Sequence, residues 1–283
     1  MADYGFETLH THLDEGVLRV TIDAPPCNVI SGTMLDELHR LGRASRDDDS
    51  VRVIVIQSAD PDFFIAHFDV NVILAMPVDD TPRRSSDLSP FHAMCAAFRE
   101  NPKPSLAKLA GRAGGGGSEF ASPCDMRFGV RGRTVLNQME VPLGILPGGS
   151  GCQNLPRLMG RGRALEMILG ADDIDGETAY NWGYLNRLFE SVEEMDAFVD
   201  TLARRIALWP ARAVELAKAA VDRAEIPWRQ GLTEENHLVM ETLRHPEPRA
   251  LMRRFLEQGG QTPEGEKRVA QLCADNAREM LRS

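Results

Sequence analysis

The most informative run of this sequence spans Asn101–Glu119 and reads NPKPSLAKLAGRAGGGGSE. Two prolines precede an apolar stretch, so Ser105–Ala110 is predicted to be a β-strand. The four glycines after it allow close backbone approach and lead into an apolar segment that can form a helix. Amide groups at such a junction favour negative charge, which is typical of a phosphate cradle or an oxyanion hole. A flexible linker is disfavoured because no change in composition separates two domains here.

Two common nucleotide-binding patterns are missing from the glycine run. Neither GxGxxG nor GxxxxGK[ST] occurs there, so nucleotide binding of those types is not supported. The other use of such a glycine run is an oxyanion hole, which stabilises a carbonyl oxygen that gains negative charge.

Strand patterns dominate the first half of the chain and helical patterns the second. Val17–Ile22 alternates β-branched and polar residues, and Val51–Ile56 is apolar enough to lie centrally in a sheet. This order predicts an α/β core followed by a helical part. Residues 75–90 are rich in Pro, Ser, Asp and Arg, and we expect a mobile loop, a candidate lid over a site. Helices are predicted over Ser31–Arg46, Pro90–Arg99, Arg161–Leu169, Gly176–Trp182, Val192–Leu208 and Pro210–Ala224, and the stretch from Trp228 to Ser283 is also helical.

Composition and charge exclude several classes of protein. The formal net charge of -10 argues against a nucleic-acid partner. No apolar run is long enough for a membrane span, and the acidic N-terminus lacks the apolar core of a secretory signal. The five cysteines show no CxxC pair and no metal-ligand spacing, which predicts a reduced, cytoplasmic setting without a metal site. They are Cys27, Cys95, Cys124, Cys152 and Cys273.

The run Asn101–Glu119 resembles the signature of the enoyl-CoA hydratase/isomerase (crotonase) family, which is Pro-Lys-Pro, a strand, Gly, then Gly-Gly-Gly-x-Glu. Further stretches resemble family motifs in the family's order, and the resemblance extends from about Val17 to Leu188. It implies an α/β fold, a crotonase-like spiral of ββα units over residues 1–200, with a C-terminal helical oligomerisation region over residues 201–283. The further stretches are Cys124–Arg127, Gln138–Val141, Leu143–Gly151 and Leu155–Gly160.

The resemblance also implies a set of site residues. The backbone amides of Ala66, which lies in a stretch similar to the family's Phe-x-Ala-Gly-Ala-Asp-Leu, and of Gly116 would polarise a thioester carbonyl. Glu119 would help to activate a water molecule, and Glu140 would exchange a proton at C2. Two close carboxylates disfavour simultaneous ionisation, so one can act as the acid while the other acts as the base. The candidate substrate-binding residues are His67, Phe68, Asp69, Gly115, Pro147 and Gly148.

The sequence departs from the family pattern at several positions. His67 replaces a glycine, and its imidazole could crowd the coenzyme, donate a hydrogen bond, take part in proton transfer, or simply pack or face solvent. Met139 replaces the proline before Glu140, so that turn is expected to be less rigid. One extra residue within Gly129–Gln138 would shift Glu140. Phe255–Gly260 lacks the lysine that the family commonly uses near the nucleotide end of coenzyme A.

The function implied by the resemblance is reversible addition of water to a 2-enoyl-CoA thioester. Alternatives within the family are an enoyl-CoA isomerase, an acyl-CoA hydrolase or a decarboxylase. A non-catalytic acyl-CoA-binding subunit is an alternative of a different class. No metal or redox cofactor is implied, because coenzyme A enters as part of the substrate. The expected partners are an acyl-CoA and further copies of the chain in a homotrimer or hexamer, with no nucleic acid and no membrane.

Overall fold

The structure is a computed structural model that describes residues 4–81, 83–209, 211–222, 228–244 and 246–280. Within these residues, the strands form one six-stranded and one four-stranded sheet. The strands are β1 (Leu9–Asp14), β2 (Val17–Ile22), β3 (Val53–Ser58), β4 (Phe63–Ile65), β5 (Ser105–Leu109), β6 (Arg112–Gly114), β7 (Met126–Val130), β8 (Val135–Asn137), β9 (Ile174–Asp175) and β10 (Arg187–Phe189).

The chain alternates between the two sheets as it advances. The larger sheet has the order β1-β2-β3-β5-β7-β10, and the smaller has the order β4-β6-β8-β9. Each of β3, β5 and β7 is therefore followed by a strand of the smaller sheet. Neighbouring strands are parallel except in the pairs β1–β2 and β8–β9. This repeated step confirms the predicted α/β spiral.

Helices fill the connections of the spiral and form its C-terminal part. Those in the described residues are α1 (Gly32–Asp47), α2 (Val70–Leu74), α3 (Pro90–Arg99), α4 (Gly116–Ala121), α5 (Gly151–Met159), α6 (Arg161–Gly170), α7 (Gly176–Trp182), α8 (Val192–Ala207), α9 (Ala211–Asp222), α10 (Trp228–Leu243), α11 (Pro246–Glu257), α12 (Pro263–Glu266) and α13 (Val269–Met280), with a 3₁₀ turn at Val141–Leu143. None of these helices is both long enough and apolar enough to cross a membrane.

Most of the predicted helices agree with the structure. The predicted bounds of α3 and α7 match, and the Ser31 hydroxyl accepts a hydrogen bond from the Met34 amide at 3.2 Å, so Ser31 caps α1. Pro210 and Ala224, the predicted ends of the next helix, lie outside the described residues. The described residues of 75–89 form neither helix nor strand, and the mobility of that loop stays a prediction.

Three apolar clusters show how the helices pack against the sheets and against one another. The main core packs one face of the larger sheet against α1 and α3, and α8 covers the opposite face. The boundary predicted at residue 200 therefore falls inside α8. A further cluster joins Met252 and Phe255 of α11 and Leu272 of α13 to Val70 and Met139. The C-terminal helices thus pack against α2 and the turn after Met139 of their own chain.

Arg127 links the end of α4 to the segment that precedes β10. Its guanidinium is buried and donates hydrogen bonds to the carbonyl oxygens of Tyr184 at 2.7 Å, Ser122 at 3.1 Å and Cys124. These carbonyls cannot reach water, so they depend on the arginine for their partners. The Cys124–Arg127 stretch therefore has a structural role beneath the helix that carries Glu119.

Replacing Arg127 with methionine should destabilise the protein by about 3 kcal/mol or more, because several buried carbonyls lose a charged donor. The measurement is the midpoint of urea unfolding. Arg161→Met, at an exposed position at the start of α6, is the control and should leave the midpoint nearly unchanged. Equal midpoints for the two variants would contradict the role assigned to Arg127.

Candidate active site

A cavity of about 200 Å³ lies where the glycine run, the turn after Glu140 and helix α10 meet. Several of the predicted residues line it together: Glu119, Glu140, Gly116, His67, Phe68 and Gly148. Gly115 lies beside it, since a Cβ placed on Gly115 would lie 2.7 Å from the Glu140 Oε1 atom. Ala66, Asp69 and Pro147 are not among the residues that line the cavity.

Glu119 is buried on α4, the short helix that follows the glycine run. Its Oε1 atom accepts hydrogen bonds from the amides of Gly149 and Gly151, both at 2.8 Å. A Cβ on Gly149 would lie 2.6 Å from the Phe91 ring and 2.7 Å from Glu119 Oε2. The glycine at position 149 therefore lets the loop approach the carboxylate closely enough to orient it.

His92 is a buried side chain of α3 close enough to Glu119 to feel its charge, and no sequence pattern identified it. Burial lowers the pKa of His92 to about 4, and this effect outweighs the opposing influence of Glu119 and of a hydrogen bond to the Gly148 carbonyl. The imidazole is therefore neutral at neutral pH. Its hydrogen bond to Gly148 helps to hold the loop whose Gly149 and Gly151 amides donate to Glu119. It places no positive charge next to the carboxylate.

Glu140 lines the same cavity, with its carboxylate beside Gly115 at the start of α4. It is 8% exposed and directly precedes the 3₁₀ turn. The amides of Leu143 and Ile145 donate to the Glu140 carbonyl at 3.0 and 3.1 Å, so the turn is closed without the family's proline. Glu140 lines the cavity, so the extra residue expected within Gly129–Gln138 does not remove it from the site. Just before Glu140, the Asn137 end of β8 pairs with Gly114 of β6.

The structure corrects the predicted oxyanion donor at Ala66. The Ala66 amide donates to the Cys27 carbonyl at 3.2 Å, so its hydrogen is already used. The Phe68 amide lies beside Gly116 instead: a Cβ placed on Gly116 would be 2.9 Å from the Phe68 nitrogen. The amides of Phe68 and Gly116 are therefore the candidate donor pair. Phe68, two positions further along the same segment, therefore replaces Ala66 as the candidate donor.

His67 is packed inside the protein, which settles the choice between a packed and a solvent-facing side chain. It is 2% exposed, and its Nε2 atom lies 2.7 Å from Glu266 Oε1. Burial lowers the pKa of His67, but the charge of Glu266 and hydrogen bonds to Glu266 and to the Phe68 carbonyl more than offset this and raise the pKa overall. Glu266 was not identified from the sequence.

The rest of the cavity wall is mostly apolar. Residues of α10 form one side of the cavity. None of the described residues that line the cavity is Lys or Arg. Phe68 and Phe91 contact each other edge to face, with ring centroids 5.5 Å apart. Such a wall is suited to an apolar acyl chain. Representative apolar lining residues are Leu35, Ile73, Phe91, Leu143, Val239 and Met240.

Comparison with known proteins agrees with this fold. The sequence model of the enoyl-CoA hydratase/isomerase family matches residues 12–264, and the chain belongs to that family. Among curated relatives, the mitochondrial methylglutaconyl-CoA hydratases of Rattus norvegicus and Homo sapiens are each 31% identical over 244 residues. These matches cover 82% of this chain and 75% and 70% of the respective relatives.

Solved structures show the same similarity. A Streptomyces avermitilis protein, described provisionally as an enoyl-CoA hydratase, superposes with a TM-score of 0.89 at 39% identity, covering 96% of this chain and 99% of that one. Pseudomonas aeruginosa OdaA superposes with a TM-score of 0.79 at 26% identity, covering 88% of this chain and 99% of that one. The fold is therefore that of the crotonase-like enoyl-CoA hydratases.

Proposed function

We propose that the protein is an enoyl-CoA hydratase, which adds water reversibly across the double bond of a 2-enoyl-CoA thioester. The observation that carries this proposal is that Glu119 and Glu140 both line one cavity that also contains Phe68 and Gly116. An isomerase needs one carboxylate to move a proton, whereas hydration benefits from two groups around a bound water.

In the proposed reaction, the thioester carbonyl lies between the Phe68 and Gly116 amides. Glu119, oriented by its two amide donors, takes a proton from water while the water oxygen bonds to C3. The electron pair of the double bond moves towards the carbonyl oxygen, where the amides stabilise the negative charge. Glu140 then supplies a proton to C2, which restores the thioester carbonyl.

Coenzyme A enters this scheme as part of the substrate, and no other cofactor takes part. The apolar wall supports an apolar acyl chain, while the rat and human relatives are named for a methylglutaconyl thioester. Assembly into a homotrimer or hexamer belongs to the same proposal. It rests on family membership and is checked by analytical ultracentrifugation.

The test is to incubate the purified protein with crotonyl-CoA, longer 2-enoyl-CoAs and methylglutaconyl-CoA while following the loss of conjugated thioester absorbance. We expect 3-hydroxyacyl-CoA products, with apolar chains preferred. Formation of a shifted double bond would identify an isomerase, and release of free coenzyme A a hydrolase. Acyl-CoA binding without turnover would favour a non-catalytic subunit.

Gly116→Ala tests the proposed oxyanion donors. The added Cβ would lie 2.9 Å from the Phe68 Cβ and nitrogen, so the two amides would be forced apart. We expect kcat to fall about 100-fold, as for removal of one donor from comparable oxyanion holes. Gly32→Ala is the control, because a Cβ there meets nothing within 4 Å. Equal kcat values for the two variants would exclude Gly116 from the hole.

A further inference from the structure

His67 and Glu266 lie 199 residues apart in sequence and form a buried pair beside the Phe68 amide. Their side chains are 3% and 0% exposed. The His67 Nδ1 atom lies 2.9 Å from the Phe68 carbonyl oxygen, which can only accept, so Nδ1 carries a hydrogen. The Nε2 atom therefore shares one proton with the Glu266 carboxylate, and the pair is electrically neutral as a unit.

Glu266 is itself held by the turn in which it lies. The Gln261 amide donates to Glu266 Oε1 at 2.6 Å, and the Thr262 hydroxyl caps α12 by accepting from the Gly265 amide at 3.1 Å. The Gln261 side chain also donates to Asp69 Oδ1 at 2.9 Å. These contacts, with a hydrogen bond of 3.3 Å from the Asn71 side chain to Gln261 Oε1, join the C-terminal turn to the segment that contains Phe68.

The peptide units on either side of the Phe68 amide are fixed from the opposite direction as well. The Ile30 amide donates to the His67 carbonyl at 2.8 Å, and the Asp69 amide donates to the Ile30 carbonyl at 3.0 Å. The imidazole of His67 donates to the Phe68 carbonyl. Because the carbonyl of its own peptide unit and both groups of the next unit are bonded, the Phe68 N–H has little freedom to change direction.

We propose that His67 and Glu266 are positioning residues that fix the direction of the Phe68 amide through the C-terminal turn. The inference rests on the proposed function, in which that amide stabilises the charge that develops on the thioester oxygen. A donor aimed at developing charge affects the transition state more than the ground state. Loss of the pair should therefore lower kcat and leave KM nearly unchanged.

The first test compares Glu266→Gln, His67→Gln and the double variant. Each single change should lower kcat about 10- to 100-fold with KM changed less than about threefold, because a small misplacement of a catalytic group is costly. The double variant should be no slower than the slower single variant, since the two residues act as one unit. Glu279→Gln is the matched control: it alters a carboxylate that binds Arg254 on the surface of the same C-terminal helices. It should retain the wild-type kcat.

Amide hydrogen exchange gives a second readout that does not depend on turnover. The Ala66 and Asp69 amides, which are bonded to Cys27 and Ile30, should exchange about tenfold faster in Glu266→Gln than in wild type or Glu279→Gln. If the wild type hydrates no substrate, the proposed function fails and exchange alone decides the role of the pair. A lower unfolding midpoint with unchanged exchange and kcat would overturn the inference, because the pair would then only stabilise the fold.

Discussion

Replacing Glu140 or Glu119 with glutamine is expected to lower kcat for the hydration of crotonyl-CoA about 10²- to 10⁴-fold, the usual contribution of a positioned acid or base. Glutamine has nearly the same shape as glutamate and cannot accept a proton from water or supply one to C2 at neutral pH. In Glu119→Gln, the amide oxygen can still accept from the Gly149 and Gly151 amides, so the loop should keep its place. We therefore expect KM to change little.

Steady-state kinetics with purified variants measures this loss. Glu166→Gln, an exposed glutamate of α6, is the control and should behave like the wild type. If either cavity variant kept full hydration activity, the two-carboxylate scheme would be wrong. A loss for Glu140→Gln alone would favour chemistry that uses a single carboxylate, as in an isomerase.

Gly149→Ala is expected to have a similarly large effect although it changes no reacting group. The new Cβ would lie 2.6 Å from the Phe91 ring and 2.7 Å from Glu119 Oε2, so the loop or the carboxylate must move. Either movement disturbs the hydrogen bond from the Gly149 amide, one of the two that orient Glu119. We expect kcat to fall about 100-fold, the scale of loss that follows a misplacement of about 1 Å.

The matched control for Gly149→Ala is Gly162→Ala, since a Cβ at position 162 meets nothing within 4 Å and lies at the start of α6. This control should be neutral or slightly stabilising, because alanine favours helix more than glycine does. Wild-type activity in Gly149→Ala would show that the close approach at this loop is not needed for the chemistry.

The order of strands and helices could be predicted from local pattern. Val17–Ile22 and Gly176–Trp182 have the predicted bounds, because alternation and helical spacing are local properties of the chain. The three-residue strands, such as Phe63–Ile65 and Val135–Asn137, were not predicted as strands. They are too short to show a period, and their pairing in the smaller sheet defines them.

The site was predictable only where residues belong to a recognisable motif. Glu119, Glu140 and Gly116 lie in the same cavity, as the resemblance implied. Phe68 was not predicted as a candidate donor, because the sequence does not reveal that the Ala66 amide is bonded to Cys27. Contacts across long separations were also missed: Glu266 reaches His67 only because the C-terminal helices pack beside α2.

The most direct test of the central claim is to run the reaction of crotonyl-CoA in ¹⁸O-labelled water and to analyse the acyl-CoA products by mass spectrometry. A two-carboxylate hydratase predicts 3-hydroxyacyl-CoA with one labelled oxygen at C3, formed by the wild type and nearly absent with Glu119→Gln or Glu140→Gln. Recovery of unchanged crotonyl-CoA, or label found only in a released free acid, would contradict the claim.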